Sequence, residues 1–403
     1  MLPLEKYRML DLSRFLPGPV ASHILADLGM DVIKVEEPKP RAGMGRDVMT
    51  PFDPSPAEEE QASAYNSLAR NKKSVALDLM DPNKRPRSQE VFYALAKRAD
   101  VVLEGYRPGT MKWMGIDYET LKAVNPRIIF CSISGYGQSG PYIKRPGHDI
   151  NFTSVGGSAP FNPEGRPVGF GISLADFSGG MYAAIGIQAA LLHREHTGEG
   201  QYVDVPMAAA SMSFNIASSG RYFREKGKPS PTIIGTPTER FVQCKDGKWL
   251  STANSESTFW ANFCNVLGHA EWIPLHQKSG PERDNMVREV HRIFLTRDRA
   301  EWIEILLKAE TCVAPVNDME DGFRDPQMSH LGMVWEMDHP TQGKVNQMGF
   351  PVLLSKTPAT GRRFAPLLGQ HTREMLEDAG FDAMQIADLE RAEIVRAWRA
   401  PST

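Results

Sequence analysis

The chain has 403 residues, 41% of them hydrophobic and 24% charged, an ordinary globular composition at a length above the usual single-domain size, so two domains are expected. Lys plus Arg (46) nearly balances Asp plus Glu (49), so the net charge of −3 gives no electrostatic argument for nucleic acid or an acidic membrane face as partner, local basic patches aside. No apolar stretch spans a bilayer, the start MLPLEKYRMLDLS is not leader-like, and Cys131, Cys244, Cys264 and Cys312 form no C-x-x-C pair; a reduced, cytoplasmic protein without membrane anchor, disulfide frame or zinc site is expected.

In chain order, residues 7–13, the turn Pro17-Gly-Pro19, the apolar-periodic 20–28 and residues 31–36 read as strand, turn, helix and strand, one βαβ unit. Residues 38–61 shift to Pro, Gly, Asp and Glu without periodicity, the pattern of a long loop. Alternation resumes with a strand at 74–79, a helix at 88–98 and strands at 100–104 and 127–134. The series predicts an α/β fold, a parallel sheet with helices on both faces and ligands at the carboxyl ends of its strands. Residues 177–194 are small and apolar, a helix packed closely on both sides, against core or against another subunit. A Lys-, Pro- and Gly-rich stretch at 223–238 reads as a linker. This gives three parts: 1–225, a large Rossmann-like domain; 226–335, a smaller α+β domain; and 336–403, a C-terminal segment. The second part opens with a hairpin signal at Asp246-Gly247, followed by helices at 258–267, 284–295 and 299–309. Past Pro340 come an apolar run at 348–354 and a last helix at 372–379.

The sharpest local signal is Gly135-Tyr-Gly-Gln-Ser-Gly-Pro141 followed by Pro146-Gly-His-Asp-Ile-Asn-Phe152. A Gly-rich turn at a strand's carboxyl end lets backbone approach a ligand, and His148 brings a titratable imidazole beside it. A satisfied loop histidine has the same pattern. In Leu174-Ala-Asp-Phe-Ser-Gly-Gly180, Asp176 stands ahead of the small-residue helix, where it could serve only as a helix cap, or where helix-start amides could hold an enolate or tetrahedral oxyanion. Glu256, in Ala253-Asn-Ser-Glu256, follows a strand of the second domain. Asn71-Lys-Lys73 and Gly105-Tyr-Arg-Pro-Gly109 put cations and amides where a phosphate-bearing ligand could lie, or form a solvated surface cluster. There is no Walker loop, dinucleotide fingerprint, metal motif or G-x-S-x-G elbow.

Taken together, LSRFLPGPVASHILADLGMDVIKVE, NKKSVALDL, EGYRPG, GYGQSGP, LADFSGG, HREHTGEGQYVDV, CVAPVND and LGQHTREMLEDAGF, in order, resemble the family of α-methylacyl-CoA racemases and family III CoA-transferases. The resemblance implies an interlocked homodimer, each chain a ring whose C-terminal segment returns to the large domain, with Glu256 reaching His148 and Asp176 of the second copy. It implies an acyl-CoA substrate and no cofactor beyond the CoA that substrate carries. The CoA contacts it implies are Lys34, Lys72, Lys73, Leu77, Asp78, Leu79, Gly105, Tyr106 and Arg107, then Gly147, Asp149, Ile150, Asn151 and Phe152.

Asp176 serves the two branches differently. In transferases the matching aspartate is a nucleophile that forms an acyl anhydride and then an aspartyl-CoA thioester. In racemases it and a histidine move the α-proton on opposite faces. His148, the retained Glu256 and the lack of a glycine-rich small-domain loop favour a 2-methylacyl-CoA racemase or epimerase, with amides near Asp176 holding the enolate. Residues 63–73 and the 38–61 insertion resemble transferases, so the alternative is transfer of CoA to a free carboxylic acid. Glu37 and Trp113 stand where racemases often carry arginine, which shifts phosphate recognition to Lys34, Lys72, Lys73, Arg107 or Lys112.

Overall fold

In the computed structural model, which describes residues 1–39, 54–162, 165–226, 241–276 and 278–399, the chain alternates strand and helix from its start. The order is β1 (Arg8–Asp11), α1 (Pro17–Asp27), β2 (Asp31–Glu36), α2 (Pro56–Tyr65), β3 (Lys72–Leu77), α3 (Arg85–Ala96), β4 (Val101–Glu104), α4 (Thr110–Met114), α5 (Tyr118–Val124) and β5 (Ile129–Ser134). Then come α6 (Asp149–Val155), α7 (Leu174–Thr197), β6 (Tyr202–Pro206), α8 (Met207–Met212) and α9 (Ile216–Arg224). A second group follows: β7 (Phe241–Gln243), β8 (Trp249–Thr252), α10 (Ser257–Val266), α11 (Pro281–Phe294), α12 (Arg299–Lys308), β9 (Val313–Pro315), α13 (Met319–Arg324) and α14 (Pro326–His330). The last elements are β10 (Val334–His339), β11 (Gly343–Met348), α15 (Thr372–Asp378), α16 (Ala383–Arg391) and β12 (Val395–Arg396).

The chain divides into two units, Met1–Ile216 with His330–Thr403, and Ala217–Ser329. These junctions fall several residues before the 225/226 and 335/336 of the sequence reading. In the first unit the strands run β12-β3-β2-β1-β4-β5-β6, all parallel except β12. The order reverses between β1 and β4, which opens a crevice at their carboxyl ends. Successive residues serve opposite faces, as the period of a strand demands. Leu10 and Ile33 join Phe92, Val102 and Leu376 in one core, while Met9 and Val32 join Leu25 of α1 and Ile187 of α7 in the other. Burial on both faces is why these strands read as unbroken apolar runs.

The C-terminal segment completes this unit. β12 pairs antiparallel with β3, Val395 opposite Leu77, and covers a sheet edge. A fully buried charge network ties the same segment down. Arg70 holds Asp27 through both carboxylate oxygens, at 3.1 and 2.5 Å, and also donates to the Met348 carbonyl. Asn71 donates to Asp27 (2.7 Å) and to the Thr360 carbonyl (2.9 Å), and accepts from the Arg362 amide (2.7 Å).

Several elements differ from the sequence reading, each for a local reason. β3 starts at Lys72 because both lysines find acidic partners, so charge does not end the strand. Within the expected 38–61 loop, residues 40–53 lie outside the described residues, and α2 starts on a Ser55–Glu58 capping box with Pro56 at its first position. Of the 348–354 run only Met348 belongs to a strand, the end of β11 in the β10–β11 hairpin; the rest follows it without regular structure. A further helix, α16, follows the one expected last; it starts on an Asp382–Gln385 capping box and buries Ile386 and Leu389.

The second unit carries the antiparallel sheet β7-β8-β9 with α10, α11 and α12 around Trp260, Phe263, Phe294 and Trp302. Gly247 takes a φ of 76° in the β7–β8 turn, the conformation that Asp-Gly favours. The linker expected at 223–238 lies mostly outside the described residues. Among the described residues, no helix is long and apolar enough to cross a membrane.

Candidate functional site at the start of helix α7

The site begins where β5 ends. Gly135 and Gly147 both pass over the Phe152 ring, close enough that a Cβ on either would sit 2.3 and 2.7 Å from it. Only glycine allows that approach. Phe152, an expected CoA contact, is 5% exposed and meets Tyr136 edge to face at 5.2 Å, so its ring packs in the core. α6 then starts at Asp149. His148, at its N-cap, keeps extended backbone, and Asn151 Oδ1 accepts from the His148 amide at 3.0 Å, which leaves the imidazole exposed. Asn151 therefore shapes the loop.

Asp149 crosses to the neighbouring helix. Its Oδ1 accepts from the amides of Ala175 (2.7 Å) and Asp176 (3.1 Å), the first turn of α7, where carboxylates are favoured as caps. This corrects two expectations. Asp149 is a cap on α7, and the Ala175 and Asp176 amides, expected to hold an enolate oxygen, are already used. Asp176 itself is half-buried; burial first, then the charge of Asp149, pushes its carboxyl up to about 6, with His148 acting in the opposite sense. Among the described residues, no lysine or arginine forms an ion pair with Asp176 or Asp149.

Several residues expected to contact CoA have partners within the sheet. Lys34 is 5% exposed and paired with Glu36 at 3.2 Å. Lys72 is 1% exposed and donates to Ser22 Oγ (2.7 Å) beside Asp11 (3.7 Å). Lys73 lies between Asp31 and Glu374 at 3.4 and 3.1 Å. These cations serve the sheet, Lys34 and Lys72 from buried positions and Lys73 between two carboxylates. Leu77 and Leu79 are core residues, 1% and 4% exposed. Asp78 accepts from the Met80 and Asp81 amides and pairs with Lys84 at 3.5 Å. Gly105, Arg107 and Ile150 are exposed, as a ligand contact requires. The half-buried Tyr106 stacks under Arg14, which also pairs with Glu37.

Cations that the sequence reading missed line the strand ends. Arg85 lies 3.6 Å over the Trp113 ring, and its guanidinium donates to the Leu79 and Met80 carbonyls at 3.3 Å. Lys84, Arg396 and Arg399 border a cavity of about 500 Å³ together with Glu37, Asp78 and Met80. A second cavity, about 430 Å³, lies between Arg107 and Lys112 at its rim and Glu104, which burial pushes up to about 7. Arg85 could have been found as the cation next to Pro86 at a helix start. Arg396 carried no local signal. Glu256 stands in the second unit at the N-cap of α10, exposed.

Against known proteins, the family model described as CoA-transferase family III matches residues 4–372. The chain is similar to human succinyl-CoA:glutarate CoA-transferase, 35% identical, with 98% of this chain and 90% of that one covered. It is similar to the succinyl-CoA–L-malate CoA-transferase beta subunit of Chloroflexus aurantiacus, 32% identical over 98% of both chains. It is also similar to formyl-CoA:oxalate CoA-transferase of Afipia carboxidovorans, 30% identical over 96% of both. Among solved structures, a CAIB/BAIF family protein from Brucella suis superposes with a TM-score of 0.77 at 26% identity, covering 94% of this chain and 99% of that one.

Proposed function

The chain belongs to CoA-transferase family III, and we propose that it moves coenzyme A between an acyl-CoA and a free carboxylic acid through Asp176. The observation that carries this reading is the Asp176 carboxylate itself, half-buried at the start of α7, where among the described residues no lysine or arginine forms an ion pair with it. A carboxylate with a raised pKa is more basic than an exposed one and less stabilised by water, which suits a nucleophile. The transferase names of the relatives support the same side of the choice, against the racemase expected from His148 and Glu256.

In the first step an Asp176 oxygen attacks the thioester carbon and the CoA thiolate leaves, giving a mixed anhydride. The thiolate returns to the aspartyl carbonyl, releasing the first acid as carboxylate and leaving an aspartyl-CoA thioester. The incoming carboxylate displaces the thiolate again, and a last attack by CoA on the new acyl carbonyl releases the product and restores Asp176. Water takes no part. Asp149 keeps the α7 start, and hence Asp176, in place throughout. Of the expected CoA contacts, Gly105, Tyr106, Arg107 and Ile150 are retained, and Lys84, Arg85, Lys112 and Arg396 take the phosphate role in place of Lys34, Lys72 and Lys73. The face of α7 carrying Phe177, Met181, Ile185 and Leu192, 39–65% exposed, supports packing against a second copy, with Glu256 contributed to the site by that copy.

One observation favours the second reading, proton exchange at the α-carbon of a 2-methylacyl-CoA: His148 lies near enough to Asp176 for its charge to act there. Incubating the protein in heavy water with 2-methylacyl-CoA and free succinate separates the two. Acid exchange with an Asp176 adduct trapped by hydroxylamine is the transferase outcome; deuterium at carbon two without acid exchange overturns it.

A further inference from the structure

A third cavity, about 490 Å³, opens beside the start of α7, within the range of roughly 300–1,000 Å³ of small-molecule sites. Ser173 and Phe177 of its wall lie one helical turn apart, with Asp176 between them in sequence. The other walls are Ile150 and Thr153 of α6, Phe170 and Ile172 of the preceding segment, and Asp149. Among the described residues, no lysine, arginine or histidine lines it. Its one fixed charge is negative. The buried Thr153 hydroxyl finds no hydrogen-bond partner, so the floor offers at most a neutral hydrogen bond.

We infer that this cavity receives the acyl chain, and that the chain it selects is the uncharged, mainly apolar one of a monocarboxylic acid. A second carboxylate here would leave water with no cation to meet it and with Asp149 repelling it, whereas an apolar chain gains from covering Ile150, Phe170, Ile172 and Phe177. The inference rests on the transferase reading of Asp176 and separates this chain from relatives whose names carry glutarate, malate or oxalate. The reacting carboxylate stays outside the cavity, at Asp176.

The test compares hexanoate with glutarate as CoA acceptors for the full-length protein, with two variants. A Cβ at Gly171, on the cavity wall, meets nothing within 4 Å, so Gly171→Leu adds apolar bulk there. Ile172→Arg, at a position 63% exposed, brings in the missing cation. Hexanoate should exceed glutarate by about tenfold or more in kcat/KM, the scale of discrimination a shaped pocket gives. Gly171→Leu should lower hexanoate transfer, and Ile172→Arg should raise glutarate transfer about tenfold. Glutarate matching or exceeding hexanoate, with no response to Ile172→Arg, overturns the inference. Calorimetric binding of hexanoyl-CoA and glutaryl-CoA judges the cavity even without turnover: tighter hexanoyl-CoA binding, weakened by Gly171→Leu, upholds it, and equal or tighter glutaryl-CoA binding rejects it. Absence of transfer to every acid removes the transferase reading alone.

Discussion

Asp27 and Asp176 lie on α1 and α7, two helices packed against each other on the same face of the sheet, and their surroundings are opposite. Asp27 ends α1, where the helix dipole disfavours an anion, yet it is fully buried there, with Arg70 gripping both oxygens and Asn71 adding a third donor. Asp176 starts α7, where the dipole favours an anion, yet burial and Asp149 make its ionisation harder. Helix position alone predicts the reverse. The partners decide: a carboxylate enclosed by donors holds the fold, and one left beside another carboxylate is available for chemistry.

The contrast breaks most sharply on activity. Asp176→Asn should cut CoA transfer by at least about a thousandfold, as loss of a covalent nucleophile does, while its urea midpoint stays near that of the parent. A variant that keeps full transfer activity would remove Asp176 from the mechanism. The converse substitution, Asp27→Asn, should cost about 3–5 kcal/mol of stability in urea unfolding, because Arg70 is left buried without its counter-charge. Transfer per folded molecule should persist; an unchanged midpoint would mean the pair is neutral to the fold.

His148→Ala sharpens the choice of chemistry. Acid exchange should fall by less than about tenfold, whereas α-proton exchange, if the second reading holds, should fall by about a hundredfold, the scale of general acid–base catalysis. The smallest effect is on pH. Transfer needs ionised Asp176, so kcat/KM should rise through about pH 6 and level above it. Asp149→Asn keeps an oxygen for the α7 amides and removes the repulsion, so its midpoint should move to lower pH; a midpoint that stays put would show that burial alone sets it. Stability runs the other way. The folded carboxyl holds its proton more tightly than the unfolded one, so this group's contribution to the fold is full below the ordinary aspartate range and is lost as pH rises through about 6.

The alternation of β1, α1 and β2 was legible because each strand is an apolar run bounded by turn residues, and α7 because small residues recur over its length. His148 and Asp176 stood out by local motif, and the structure brings them within electrostatic reach. What could not be read was non-local. Lys34 and Lys72 look like surface cations until Glu36, Asp11 and Ser22 appear around them. Asp149 bonds amides more than twenty residues away, and no spacing in the sequence announces a cap supplied by a neighbouring helix. α2 carried a readable capping box within a polar stretch whose apolar periodicity is weak, and α16 one ahead of a short amphipathic run.

The late pairing of β12 with β3 bears on how the protein is made. The ribosome emits β3 long before the strand that will shield it, with the whole Ala217–Ser329 unit in between. For that interval the nascent sheet presents an unmatched row of amides and carbonyls to any passing strand, so a chaperone that occupies it, or a slowly aggregating truncation ending before Val395, is the biosynthetic counterpart of this topology.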